Sequence, residues 1–276
     1  MASPGLLTAQ SVRIKQARRL ATRAFRRKSG RFLVEGPQAV REALEHRELL
    51  VEVYAEPDLA TRHRDLRDLA QLADVPWYDV NRAAIEALSE TVTSQGVVAV
   101  CSLVDVPLED AVRRTARLVA VGVQVRDPGN AGTLIRTADA AGADAVVLSV
   151  ESVDPHNPKA VRASVGSLFH LPITVDADIV TAAKAWREQG LQVLAADGYG
   201  SSDLDDCIDD GTLAKPTVWL FGNEAHGLPD GFDAIVDRSV KVPIYGRAES
   251  LNLATAAAVC LYASARAQRR TEVSGR

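Results

Sequence analysis

D-P-G-N-A-G-T-L-I-R-T-A-D-A-A-G, residues 127–142, is the stretch whose reading decides the fold. It follows an apolar run, residues 118–125, and precedes another, 145–149. That order predicts strand, tight polar loop, short helix, strand. Pro128 restricts the backbone and Gly129 frees it, as a shaped loop requires. Asn130 sits in that loop. Arg136 falls inside the helix among small and apolar residues, so it is exposed, paired or used.

Working outward, the alternation continues. Downstream, residues 172–175, 191–195, 218–221 and 240–244 read as strands, and 159–165, 179–188 and 253–267 as helices. Upstream, 31–34, 49–55, 76–80 and 97–102 read as strands, and 11–27, 38–47, 61–73 and 82–88 as helices. This predicts an α/β chain with a mostly parallel sheet, whose functional residues gather outside the C-terminal strand ends. Charged residues 105–117, with Pro107, form the best boundary. A smaller α/β domain is expected over 1–106, a linker over 107–117 and a second domain over 118–270.

The 276 residues suffice for one large or two modest domains. Three widely spaced cysteines, Cys101, Cys207 and Cys260, suggest no disulfide framework and fit a reducing compartment. No apolar run reaches membrane-spanning length, and the basic N-terminus lacks the apolar core of a signal peptide. A cytoplasmic protein with no membrane partner is expected. The net charge of −4 hides an asymmetry. Nine of the 32 basic residues lie within residues 1–31, which hold no Asp or Glu, leaving 23 basic against 36 acidic residues elsewhere. A basic field on an acidic body makes nucleic acid the first candidate partner, the alternative being a solvated basic helix.

Several chemistries lose their support. No G-x-G-x-x-G follows the first strand of either part, and no P-loop or G-x-S-x-G elbow occurs. The five histidines have no ligand-like spacing, so no metal is expected. What remains are three polar, glycine-rich loops after strands: the opening stretch, F-G-N-E-A-H-G-L-P (221–229) and P-I-Y-G-R-A-E-S-L-N (243–252). Gly222, Gly227 and Gly246 allow close backbone approach, and Leu220, Leu228, Ile244 and Leu251 can pack on a flat ring. Either these loops hold an adenosine-containing cofactor or their glycines simply serve turns.

Taken together, the loops carry a resemblance. D-P-G-N-A-G-T-L-I-R-T-A, L-F-G-N-E-A-H-G-L-P and V-P-I-Y-G-R-A-E-S-L-N-L-A-T-A-A-A-V-C-L-Y, with N-P-K-A-V-R-A-S-V-G-S-L-F-H-L-P (157–172) between the first two, resemble the SpoU class of RNA ribose 2'-O-methyltransferases. This is the TrmH-like branch of the SPOUT superfamily. F-L-V-E-G-P-Q-A-V-R-E-A-L and L-S-E-T-V-T-S-Q-G-V-V-A-V resemble that family's L30e-like substrate-binding domain. The resemblance implies a trefoil-knotted methyltransferase domain, a homodimer with its site near the interface, and S-adenosylmethionine as cofactor. It implies RNA as substrate, of 23S ribosomal type given the accessory domain. A transfer-RNA ribose methyltransferase and a non-catalytic RNA-binding relative are the alternatives.

By the same resemblance, Asn130, Arg136, Glu224, Ser250 and Asn252 are the catalytic set. Arg136 is the residue placed at the ribose 2'-hydroxyl. Because a guanidinium donates and does not accept, its expected part is to orient the hydroxyl and stabilise developing alkoxide charge. Glu224 could orient Arg136, and Ser250 or Asn252 could also cap a helix. Cofactor contacts are expected around Leu220, Phe221, Gly222, Val242, Ile244 and Leu251. The chain reads L-A-T after S-L-N, where V-S-V or V-S-T is common in the family, so altered packing is expected there. Arg13, Lys15, Arg18, Arg19, Arg23, Arg26 and Arg27 are expected to meet RNA phosphate. Arg162 either does the same or braces the fold.

Overall fold

Four apolar runs of the first hundred residues pair into one mixed sheet. They are β1 (Arg31–Glu35), β2 (Leu50–Ala55), β3 (Trp77–Asp79) and β4 (Val97–Ser102), in the order β1-β4-β2-β3. β4 is antiparallel to both β1 and β2, whereas β2 and β3 run parallel. The computed structural model describes residues 5–91, 93–223 and 227–274, with the backbone alone for 60, 61 and 271–274. It divides into two compact units. One is the chain up to Val104 together with Asp154–Phe169, and the other is Asp105–Val153 with the chain from His170 onward.

In the first unit, Ile14, Ala17 and Leu20 pack with Ala84, Ile85 and Leu88 over Leu33, Tyr54, Val98 and Val100. The single helix expected over 11–27 is instead two, Val12–Arg18 and Arg23–Ser29, separated by a 3-10 turn and an extended Thr22. The break has a physical cause in Arg26. Its Nη1 donates to the carbonyls of Leu20 (2.9 Å) and Ala21 (2.8 Å), which a continuous helix would have engaged. Arg26 also grips Asp154, 128 residues away, through Nε (2.8 Å) and Nη2 (2.6 Å). Asp154 Oδ1 lies 3.1 Å from His156 Nδ1, and His156 Nε2 accepts from the Val104 amide at 3.3 Å. That acceptor role assigns the ring proton to Nδ1, facing Asp154. His156 also stands edge-on to Phe32 at 4.8 Å. This network secures Asp154–Phe169 within the first unit.

The second unit is a seven-stranded parallel sheet. Its strands are β5 (Leu118–Gly122), β6 (Ala145–Ser149), β7 (Ile173–Ala177), β8 (Gln192–Ala196), β9 (Ser202–Asp203), β10 (Thr217–Phe221) and β11 (Arg238–Lys241), ordered β7-β6-β5-β10-β8-β11-β9. Every residue of β5, β6 and β10 is buried, as both-faces-covered parallel strands require. Val119, Val121, Val147, Val193, Val218 and Leu220 form a core with Ile179, Ala183 and Trp186. Residues 105–117 group with this unit. Their helix, Leu108–Ala111, packs beside β6 and β7, and Val112 and Ala116 are buried.

The last helix, Leu253–Ser274, lies along the Pro128–Ala141 helix and β10. Trp219 Nε1 donates to Ser264 Oγ at 2.9 Å. Gln268 Nε2 reaches the carbonyls of Arg117 and Lys215, each at 2.9 Å, just before β5 and β10 begin.

Candidate active site

The three polar loops follow β5, β10 and β11, at the C-terminal edge of the sheet. After β5 the chain makes a strained entry. Gln124 takes a positive φ of 49°, uncommon for a side chain of its kind. Its amide donates to Ser149 Oγ at 2.8 Å, and that of Val125 to Ser152 Oγ at 3.2 Å. These bonds deliver Asp127 as the N-cap of the Pro128–Ala141 helix, where its side chain accepts from the Asn130 amide at 3.0 Å. With Pro128 at the first position, the helix begins earlier than the expected loop. Asn130 therefore lies in a helical first turn.

Asn252 precedes the last helix and caps it, its Oδ1 accepting from Ala254 N at 3.0 Å and Thr255 N at 3.4 Å. Its Nδ2 donates to Asn130 Oδ1 at 3.0 Å. The first and third loops are thus joined side chain to side chain.

The second loop doubles back on itself. Asn223 and Gly227 exchange backbone hydrogen bonds of 3.0 and 2.8 Å. Gly222 lies so close to Gly227 that a Cβ on it would come within 2.4 Å of the Gly227 backbone. Glu224 lies outside the described residues. Arg136 and Ser250 are exposed, and the Arg136 side chain makes no hydrogen bond or ion pair among the described residues.

Of the residues expected at the cofactor, Leu220 and Phe221 are buried in β10, Gly222, Val242 and Leu251 are half-buried, and Ile244 is exposed. Among the described residues, 242–251 make no backbone–backbone hydrogen bond. The unengaged peptide groups of 242–244 and Leu251, beside the side chains of Ile244 and Leu251, fit an adenosine: amides for its polar edge, apolar side chains for its ring. Among the described residues no group of three or more His, Cys, Asp or Glu is placed to hold a metal ion. No helix of the described residues is long and apolar enough to cross a membrane.

The basic N-terminal residues divide into two kinds. Lys15, Arg18, Arg19, Arg23 and Arg27 are exposed. Arg26 is only 2% exposed, so its charge is spent on Asp154 and not on phosphate. Arg13 pairs with Glu52 and stacks 4.4 Å over Tyr78, which holds its pKa above the ordinary arginine value, chiefly through the Glu52 hydrogen bond. Arg162 contacts Glu35 Oε2 at 3.3 Å, and Thr91 Oγ1 donates to Glu35 Oε1 at 2.6 Å. The bracing reading of Arg162 is the one its geometry favours. Asp127 was legible in principle, since Asp-Pro before a helix is a capping signature. Asp154 and His156 were not, because their partners are remote in sequence.

Residues 117–262 match the model of the SpoU rRNA Methylase family, and residues 12–99 the MRM3-like substrate binding domain. The chain belongs to the SpoU rRNA methylase family. It is 33% identical to the 23S rRNA (guanosine(2553)-2'-O)-methyltransferase RlmP of Bacillus subtilis, over 92% of this chain and 96% of that one. It is 30% identical to the 23S rRNA (uridine(2479)-2'-O)-methyltransferase of Streptomyces viridochromogenes, over 98% and 93% of the two chains. The crystal structure of the SpoU methyltransferase AviRb from Streptomyces viridochromogenes, in complex with the cofactor AdoMet, superposes with a TM-score of 0.82 at 28% identity, over 97% of this chain and 100% of that one. SpoU membership bears out the resemblance read from the loops, the α/β class with its parallel sheet and the substrate-binding domain ahead of it.

Proposed function

We propose that this SpoU-family enzyme transfers a methyl group to a ribose 2'-hydroxyl of RNA, of 23S ribosomal type. The observation that carries the reading is the Asn252–Asn130 hydrogen bond, 3.0 Å, which closes the first and third loops around one place. When bound, S-adenosylmethionine would supply an activated methyl on sulfur, and the backbone of 220–222, 242–244 and Leu251 would hold it. Arg136 donates hydrogen bonds to the ribose 2'-oxygen and its phosphate, and its fixed charge favours the alkoxide left when the hydroxyl proton passes to water. Asn130 and Asn252 keep the loops in register so that oxygen and methyl carbon align. Ser250 and Glu224 complete the set, orienting Arg136. The 2'-hydroxyl requirement separates RNA from DNA. Lys15, Arg18, Arg19, Arg23 and Arg27 bind phosphate and position the substrate. No step needs a metal, and a ribosomal substrate goes with a cytoplasmic site of action.

A homodimer is part of this reading. Arg136 and Ala140 lie one turn apart on one helix, and Val259 and Tyr262 lie on the helix packed beside it, all four exposed. Tyr262 Oη donates to the Ala140 carbonyl at 3.2 Å, making these one surface. Exposed apolar side chains next to Arg136 support a second copy seated there. A trefoil knot is the matching backbone reading. β10 lies between β5 and β8, with β11 beyond β8. The chain after β11 must therefore pass back across β10 to bring Asn252 to Asn130.

Labelled S-adenosylmethionine with total RNA, followed by mapping of ribose-methylated positions, tests the reading. Incorporation into 23S-type RNA is expected. Label confined to transfer RNA would move the substrate class, and no label in any RNA would overturn the enzyme assignment.

A further inference from the structure

Two tyrosines stand out from the second unit with almost nothing over them. Tyr245, in the loop leading to Asn252, is 88% exposed, and Tyr199, in the turn after β8, is 99% exposed. They arise at the C-terminal ends of β11 and β8, which are paired neighbours. Tyr245 Oη donates to Asp205 Oδ2 at 2.9 Å, the bond that raises its phenol pKa. The Tyr199 amide donates to Asp197 Oδ1 at 3.0 Å, while Asp197 Oδ2 accepts from Ser239 Oγ at 3.1 Å. Gly200 is pressed against β11 so closely that a Cβ would lie 2.8 Å from the Ser239 backbone. These are two aromatic side chains facing solvent on the sheet edge that carries the site, the Tyr245 ring tethered through its hydroxyl and Tyr199 through its backbone.

The charges around them restrict what they bind. Asp203, Asp205, Asp206, Asp209 and Asp210 all lie on or beside the short Leu204–Asp209 helix. A phosphate is repelled there. A nucleobase is not: its faces stack on aromatic rings, and its amino and imino groups donate to carboxylates. RNA whose bases are unstacked is the form in which ribose and base become accessible together.

We propose that Tyr245, oriented by Asp205, stacks on an unstacked base of the RNA substrate beside the methylated ribose, with Tyr199 as a second platform. This rests on the RNA methyl-transfer reading and adds the part of the substrate that is recognised. The acidic rim reads base, and the N-terminal cations of the first unit read phosphate.

Tyr245→Ala, Tyr199→Ala and Tyr245→Phe are assayed for methyl transfer to a 23S ribosomal RNA transcript, for direct RNA binding by anisotropy, for S-adenosylmethionine binding by calorimetry and for mass in solution. Tyr245→Ala is expected to raise KM and the RNA dissociation constant about 10-fold or more, the scale of one lost stacking contact. kcat, cofactor affinity and mass should be unchanged. Tyr245→Phe, which keeps the ring, should recover most of the affinity. Unchanged RNA affinity in Tyr245→Ala overturns the proposal, as does a matching loss of cofactor affinity or of the oligomer. If wild-type protein methylates no RNA, the functional reading fails, while the ratio of RNA affinities still decides the stacking.

Discussion

Asn252 donates its side-chain amide to the Asn130 oxygen at 3.0 Å, across 122 residues of sequence. Both partners are also tied to a helix start: Asn252 Oδ1 caps the last helix, and the Asn130 amide is held by Asp127. The amide of Asn252 therefore has one orientation that satisfies both ends, oxygen toward its helix and nitrogen toward Asn130. Such a side chain couples loop geometry to helix packing.

That coupling can be separated by substitution. Asn252→Asp keeps the capping oxygen but loses the donor, placing a carboxylate against the Asn130 oxygen. Thermal stability should stay near wild type while kcat falls on the order of 10-fold or more. Asn252→Ala loses both roles and should also cost about 1 kcal/mol of stability. Calorimetry with a methyl-transfer assay reads both. Full activity in the Asn252→Asp enzyme would remove this bond from the working site.

Arg136 is exposed and its side chain has no partner within the described chain, so Arg136→Lys should leave the melting temperature unchanged. Lysine keeps the charge but loses the planar fork, and kcat should fall roughly 100-fold, the scale of a lost transition-state donor. Single-turnover rates at saturating RNA make the comparison. Near-full turnover would show that charge alone suffices.

Asp154 answers to Arg26. Burial pushes the Asp154 carboxyl up, but the hydrogen bond with His156 and the Arg26 charge outweigh it and hold it below the ordinary carboxylate range. A depressed carboxyl stabilises the fold above its unfolded pKa of about 3.9, and that stability is lost as pH falls through the folded value. Asp154→Asn strands a buried guanidinium and should cost about 3–5 kcal/mol at neutral pH. It should also flatten the dependence below about pH 4. Urea unfolding at pH 7, 4 and 3 measures both, and an unaltered acid limb would place the sensitivity elsewhere.

Gly222→Ala drives a methyl into the Gly227 backbone, to which a Cβ would approach within 2.4 Å. No flexible side chain can give way there, so the second loop must open. Cofactor affinity should drop about 10-fold or more, through loss of a preorganised wall. Titration calorimetry checks this, and an unchanged dissociation constant would separate this loop from the cofactor.

What could be read beforehand was whatever depends on local pattern. Apolar runs gave every strand but the polar, two-residue β9, and loops placed after strands located Asn130 and Asn252 on one edge. What could not be read depends on partners distant in the chain. Arg26 looks like its basic neighbours because nothing within a helical turn distinguishes it; its burial is decided by Asp154. The membership of Asp154–Phe169 in the first unit has the same origin. Nor does hydropathy say that Tyr245 and Tyr199 stand in solvent, since tyrosine is at home in both settings.

Gln268 bridges the carbonyls that precede β5 and β10, and it is 151 residues from Arg117. During synthesis, β5 emerges long before β10 or the helix that joins their starts. A topology dominated by such distant pairings closes late. Until translation has passed residue 268, the Asn130 helix has no Asn252 beside it in its finished setting. The candidate site is therefore assembled only once the last helix has joined the starts of β5 and β10.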